Sequence, residues 1–153
     1  MVRKTMKKEQ KQVLEVTAQY MRDLSFENAN PFSQIENTDK SPQIDVQLRV
    51  DVEKGKTSNS YKVSLVVKAQ AKLDKPLFIL ELNYTGEFVV DGFPEDMLEP
   101  ILYIECPRLL FPFVRSIIAN TVSDGGFAPL YIAPINFVDL YQQQKESANQ
   151  TLQ

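Results

Sequence analysis

Residues 60–73 read Ser-Tyr-Lys-Val-Ser-Leu-Val-Val-Lys-Ala-Gln-Ala-Lys-Leu. Apolar side chains fall on Tyr61, Val63, Leu65, Val67, Ala69, Ala71 and Leu73, every second position. A period of two puts them all on one face of an extended strand. The same alternation runs on either side. Leu14, Val16, Ala18, Tyr20, Leu24 and Phe26 hold the even positions of a first segment, and Ile44, Val46, Leu48, Val50 and Val52 those of a second. After residue 73 the pattern resumes on Phe78, Leu80, Leu82, Tyr84 and Phe88. Four strands are expected, each with one buried face. The connections at 53–60 and 74–76 are polar and turn-like, so neighbouring strands are expected to be antiparallel.

Beyond Asp91-Gly92 the period changes. Pro94-Glu95-Asp96 suits a helix start, with proline early and acids in the first turn. Met97, Leu98, Ile101 and Leu102 follow at helical spacing, and Pro100 predicts that this piece is short or kinked. Pro107 predicts the start of a longer helix, striped by Leu110, Phe113, Val114, Ile117, Ile118, Thr121 and Val122. Gly125-Gly126 ends it. Asn136 caps a further helix from Phe137 to about Lys145. Strands followed by helices define an α+β fold: a four-stranded antiparallel sheet with the C-terminal helices packed on one face. The expected division is a basic disordered tail at 1–12, a single domain at 13–146, and a disordered polar tail at 147–153.

At 153 residues the chain is long enough to bury a core without disulfide or metal. Its one cysteine, Cys106, excludes an intrachain disulfide and a cysteine zinc cluster. Histidine is absent, which removes the commonest general base and transition-metal ligand. No catalytic residue, cofactor or metal is expected. Net charge is −3, but residues 1–12 carry +4 and the rest −7. An acidic body argues against nucleic acid and suits a basic partner. Glu15, Arg22 and Asp23 interrupt any signal-peptide core, and no run approaches a membrane span, so a cytosolic protein without membrane insertion is expected.

Individual motifs have plain readings. Gly55-Lys56-Thr57 resembles the end of a phosphate-binding loop, but Val50 stands where that loop needs glycine, and the segment joins two strands, so a hairpin turn is expected. Glu95, Asp96 and Glu99 suit a helix N-terminus better than a catalytic pair. Cys106, with no histidine partner, reads as a buried structural thiol. By strand parity Asp23 and Glu27 face outward on the first strand, and Ile79 and Glu81 on the fourth. The segment Ser123-Asp124-Gly125-Gly126-Phe127-Ala128-Pro129-Leu130-Tyr131-Ile132-Ala133-Pro134-Ile135-Asn136-Phe137 is broken as a loop is, yet loaded with large apolar groups. Phe127, Leu130, Tyr131 and Ile132 either fold under the sheet as core or rim an apolar groove, and composition leaves both open.

Three ordered stretches closely resemble SecB, the bacterial protein-export chaperone family. They are Leu24-Ser25-Phe26-Glu27-Asn28, the run from Cys106-Pro107 through Leu109-Leu110-Phe111-Pro112-Phe113 to Arg115, and Gly126 through Phe137. The resemblance spans about Leu14 to Gln144. It implies an ATP-independent holdase, a homotetramer built as a dimer of dimers. Such a protein holds unfolded precursor proteins in apolar grooves and delivers them to SecA, the motor of the Sec translocase. It also implies a client groove walled by Phe127, Leu130, Tyr131, Ile132 and Phe137, and a SecA-docking surface at Asp23, Glu27, Ile79 and Glu81.

Two departures stand out. Lys40 follows Asp39 where the family commonly has tryptophan, and the C-terminal residues from Glu146 lack the family's SecA-binding tail pattern. Service to an antitoxin is a variant within the same class. The reading from a different class is a small apolar-ligand carrier with an enclosed pocket between sheet and helices.

Overall fold

The computed structural model describes residues 11–35 and 39–151, the side chains of the last two excepted. Of the expected basic tail, all but Lys11 and Gln12 lie outside the described residues. The four expected strands form: β1 (Val13–Asn28), β2 (Gln43–Lys54), β3 (Ser60–Lys72) and β4 (Pro76–Asp91). They make one antiparallel sheet in the order β1-β4-β3-β2. A short 3-10 turn, Phe32–Gln34, lies between β1 and β2. Gly55-Lys56-Thr57 sits in the β2–β3 hairpin, where the Gly55 N–H donates to the Ser60 carbonyl at 2.8 Å.

The topology ranks the strands by burial. β3 and β4 are central, and their alternating sets are removed from solvent, from Val63, Leu65 and Val67 to Leu80, Leu82 and Phe88. β1 and β2 are edges and only partly covered. β1 departs from simple alternation. Its register against β4 shifts between Val16 and Ala18 and again between Met21 and Asp23. Each shift inserts one residue, and one inserted residue reverses which face the next side chains occupy. Ala18 and Tyr20 therefore pair with Glu87 and Thr85 on the outward face, while Gln19 and Met21 turn inward beside Gly86 and Tyr84. This corrects the expectation that Ala18 and Tyr20 belong to the core. The second shift restores parity, so Leu24 and Phe26 face the core again.

The helical part also differs from expectation. α1 (Glu95–Pro100) does not stop before α2 (Cys106–Asp124). A π turn, Ile101–Glu105, joins them, and helical dihedrals continue through Ile101 and Cys106. Proline lacks an N–H and crowds the carbonyl four residues back. The wide turn, in which the Cys106 N–H reaches the Ile101 carbonyl, carries the run across Pro100 and Pro107. On α2 the buried ridge is Cys106, Leu110, Val114, Ile118 and Val122, at strict four-residue spacing. Phe113, expected in the core, is half exposed and stacks its ring 6.1 Å from that of Tyr84. α3 (Phe137–Thr151) starts where expected, with Asn136 Oδ1 accepting the Asp139 N–H at 3.2 Å. It runs past Lys145 through most of the segment expected to be disordered. Gln142 to Gln150 contain no glycine or proline and several good helix formers, so nothing stops propagation.

One close approach sets the sheet-to-helix distance. A Cβ on Gly86 would lie 2.5 Å from the Phe88 ring and 2.9 Å from Leu110. Gly86→Ala should destabilise the fold by about 1–3 kcal/mol, the usual cost of overpacking. Thermal unfolding at matched protein concentration checks this. An unchanged midpoint would mean that α2 is not seated on β4 at this point.

Candidate functional site

The apolar loop is shaped first by the end of α2. Gly126 adopts a positive φ of 90°. Its N–H donates to the Ser123 carbonyl at 3.0 Å, and the Phe127 N–H donates to the Val122 carbonyl at 3.2 Å. This is a Schellman ending, which turns the chain back and aims the next apolar residue at the structure. Phe127 accordingly packs on Phe78, ring centroids 5.1 Å apart, and Phe78 stacks on Phe26 at 5.6 Å. Asn28 Nδ2 donates to the Gly125 carbonyl at 3.0 Å, tying the helix end to the end of β1.

These contacts leave an apolar recess of about 330 Å³ lined by Phe127, Leu130, Phe32, Pro42, Ile44 and Phe78, among others. Phe32 and Ile44 are each 42% exposed, so its rim is open at the surface. Of the five expected groove residues, Phe127 and Leu130 line this recess. Tyr131 does not. It is 65% exposed and lies elsewhere, with the Arg115 guanidinium 5.6 Å from its ring centroid, beside Pro112 and Ser116. Ile132 and Phe137 are corrected to core: they are 5% and 2% exposed, and Phe137 meets Phe111 edge-on at 6.0 Å. Both side chains belong to the core cluster. Phe32, Pro42 and Ile44 were missed. They come from the β1–β2 connection and the start of β2, and only the bulk of Phe32 between prolines and polar residues hinted at exposure. Lys40 lies in a neighbouring polar recess with Asn30, Asp74 and Lys75.

The second surface is the outward face of the sheet. Strand pairing sets Asp23 opposite Asn83, Ser25 opposite Glu81 and Glu27 opposite Ile79, which brings Asp23, Glu27, Ile79 and Glu81 together on β1 and β4. The three acids are exposed and Ile79 is partly buried among them. The face is not purely acidic. Lys68 Nζ lies 3.9 Å from Glu81 Oε1, and Arg49 pairs with Asp51 at 3.2 Å. These pairs are about half exposed, so they contribute little to stability. A shallow cleft of about 380 Å³ crosses this face between Asp23, Gln47, Arg49, Lys68 and Glu81.

Cys106 lies in the core, and burial first, then the Glu105 carboxylate, push its thiol up to about 12. Glu99 accepts the Tyr141 phenol at 2.9 Å, tying α3 to α1. Glu95 and Asp96 occupy the first turn of α1.

An open apolar recess and a charged sheet face are the equipment of a binding protein, and comparison with known proteins gives its class. The sequence model described as "Preprotein translocase subunit SecB" matches residues 7–148. The protein-export protein SecB of Parvibaculum lavamentivorans is 46% identical over 136 residues, covering 88% of this chain and 80% of that protein. SecB of Paramagnetospirillum magneticum is 48% identical over 139 residues, covering 89% and 88%. Among solved structures, the SecB-like chaperone of Mycobacterium tuberculosis, in complex with a peptide from the HigA1 antitoxin, shares the fold. Its TM-score is 0.67, at 9% identity over 80% of this chain and 90% of that one. The chain belongs to the SecB family of protein-export chaperones.

The raised thiol pKa has a direct test. At pH 8 the thiolate fraction of Cys106 should be about a thousandfold below that of a thiol at the ordinary 9.0. Alkylation by iodoacetamide is expected to be very slow in the native protein and fast in denaturant. Above pH 9.0 the unfolded chain loses this proton first, so the thiol's contribution to stability is lost progressively toward pH 12. Native alkylation at the denatured rate would place Cys106 outside the core.

Proposed function

We propose that this protein works as an ATP-independent holdase: it binds unfolded precursor proteins at the Phe127–Leu130 recess and passes them to SecA by way of the outward acidic face. The observation that carries the reading is the open recess itself. Its aromatic and aliphatic lining offers few fixed polar partners, which suits many apolar sequences and selects no single ligand. The half-exposed Phe32 and Ile44 at its rim favour a chain that enters and leaves over an enclosed lipophile. A protein that binds the unfolded state shifts its client's folding equilibrium by mass action, without enzymatic chemistry.

The mature form is proposed to be a cytoplasmic homotetramer, a dimer of dimers. Met21, Leu109 and Phe113 are about half exposed and offer apolar contact between copies. The edge of β1 offers strand pairing to a second copy. Several recesses engaged by one long client raise its avidity through effective concentration. Among the described residues no helix is long and apolar enough to cross a membrane.

Aggregation of a chemically unfolded precursor, followed by light scattering without nucleotide, should be suppressed at about one tetramer per client. Phe127→Ser should weaken suppression at unchanged secondary structure. Unaltered aggregation in the presence of folded protein would remove the holdase reading.

Charge reversal at Glu81 or Asp23 should weaken SecA binding by about 1–2 kcal/mol while sparing client binding, and wild-type affinity should fall with salt. Equal loss of both bindings would refute the separation of the two surfaces.

A further inference from the structure

The apolar recess has a charged neighbour. Among the described residues its own lining carries no formal charge. A second recess, of about 410 Å³, lies beyond Leu77, which lines both. The two also share their flanks. Phe32 and Pro42 line the apolar recess, and Gln34 and Lys40, two residues away on the same segments, line the second. The other charged residues of the second recess are Asp74 and Lys75, in the turn between β3 and β4.

Hydrogen bonds fix this end of the sheet. The Ala29 and Asn30 N–H groups donate to the Leu77 carbonyl at 2.9 and 3.3 Å, and Asn30 Nδ2 donates to the Pro76 carbonyl at 2.7 Å. The Leu73 N–H donates to the Lys75 carbonyl at 3.1 Å and closes the turn. The Asn30 carboxamide is thereby engaged, and the lysines are not. Among the described residues neither Lys40 nor Lys75 belongs to an ion pair, and neither does Asp74. Two lysines and one aspartate leave the recess a formal charge of +1, in a chain whose residues 13–153 sum to −7. An ammonium on a flexible stem meets a carboxylate as a point charge and demands no fixed geometry.

We propose that the recess of Lys40 and Lys75 is a carboxylate subsite. It takes the Asp or Glu side chain of a client whose adjacent apolar residues fill the Phe127–Leu130 recess. The proposal rests on the holdase reading and adds a charge preference to it. An acidic side chain is the occupant because both cations are unpaired, and the shared Leu77 wall sets them beside the apolar part of the same client segment. A basic client side chain meets like charge here and is disfavoured. Exposed charge pairs are weak, so the subsite biases the choice among clients and leaves the apolar contacts to supply most of the affinity.

Fluorescence anisotropy of labelled peptides on the full chain tests this. Three peptides share one unstructured apolar core and carry Glu, Gln or Lys at both flanks, so that either chain direction presents the charge. Wild type should bind the Glu peptide about threefold tighter than the Gln peptide, and the Lys peptide about threefold weaker, with both gaps closing in high salt. Lys40→Gln combined with Lys75→Gln should level the Glu and Gln peptides at unchanged affinity for the Gln peptide. Lys40→Glu combined with Lys75→Glu should invert the order. Lys54→Glu, at the far end of β2, controls for net charge and should leave the order as it is. An order that ignores the changes at Lys40 and Lys75, or that Lys54→Glu inverts as well, would overturn the subsite while the holdase reading stands. Failure of folded wild type to bind any of the three peptides, with no suppression of aggregation, would strike the holdase reading and the subsite with it.

Discussion

The fold depends on the seating of the α2 ridge on the inner face of β4. The Phe88 ring and Leu110 together crowd Gly86 so closely that position 86 has room for hydrogen alone. With this contact made, Val114, Ile118 and Val122 follow onto the same face at four-residue intervals. The helix then reaches Gly125 at a point where Phe26 leaves no space for a side chain, since a Cβ there would overlap its ring. Helix length, the β1 terminus and the Schellman turn are therefore mutually fixed. The recess exists because Phe127 is delivered onto Phe78 by that turn, and not because the loop is apolar in itself.

Burial and function alternate along a single strand. On β4, Phe78, Leu80 and Leu82 build the core, while Ile79, Glu81 and Asn83 between them face outward. A one-residue slip would exchange the two sets, so the proposed docking face is held in place by the same hydrophobic register that stabilises the sheet. β1 solves this differently. Its two inserted residues reverse the faces at Ala18 and restore them at Asp23. The middle of β1 thereby presents Tyr20 outward and Met21 toward Tyr84, at the edge left open for pairing.

This explains how much could be read from the residues. Periodicity of two revealed all four strands and their antiparallel neighbours, because β3 and β4 are central and alternate cleanly. It assigned Asp23 and Glu27 to the outer face correctly, but only because two register shifts cancel before residue 23. Ala18 and Tyr20 lie between the shifts, where single-chain parity carries no trace of them. The helical run was legible in composition and not in continuity, since Pro100 and Pro107 signal breaks that a π turn absorbs. Within the loop, Phe127 and Ile132 are equally apolar in sequence. What separates recess from core is the turn at Gly126 and the distance to Phe78, both of them tertiary facts. The strand order, with β1 beside β4 and β2 left outermost, has no local signature at all.

The two edges of the sheet show the consequence. An unpaired edge invites pairing with any extended chain, and natural proteins blunt it with charge, twist or cover. Here β1 is irregular, with two shifts and apolar side chains suited to a defined neighbour. β2 is regular, its backbone is straight in register, and one glutamine from a polar helix answers one residue of it. An irregular edge restricts which strand can match it, whereas a regular edge accepts any sequence through backbone groups alone. The irregular β1 edge suits the defined neighbour that the proposed homotetramer requires.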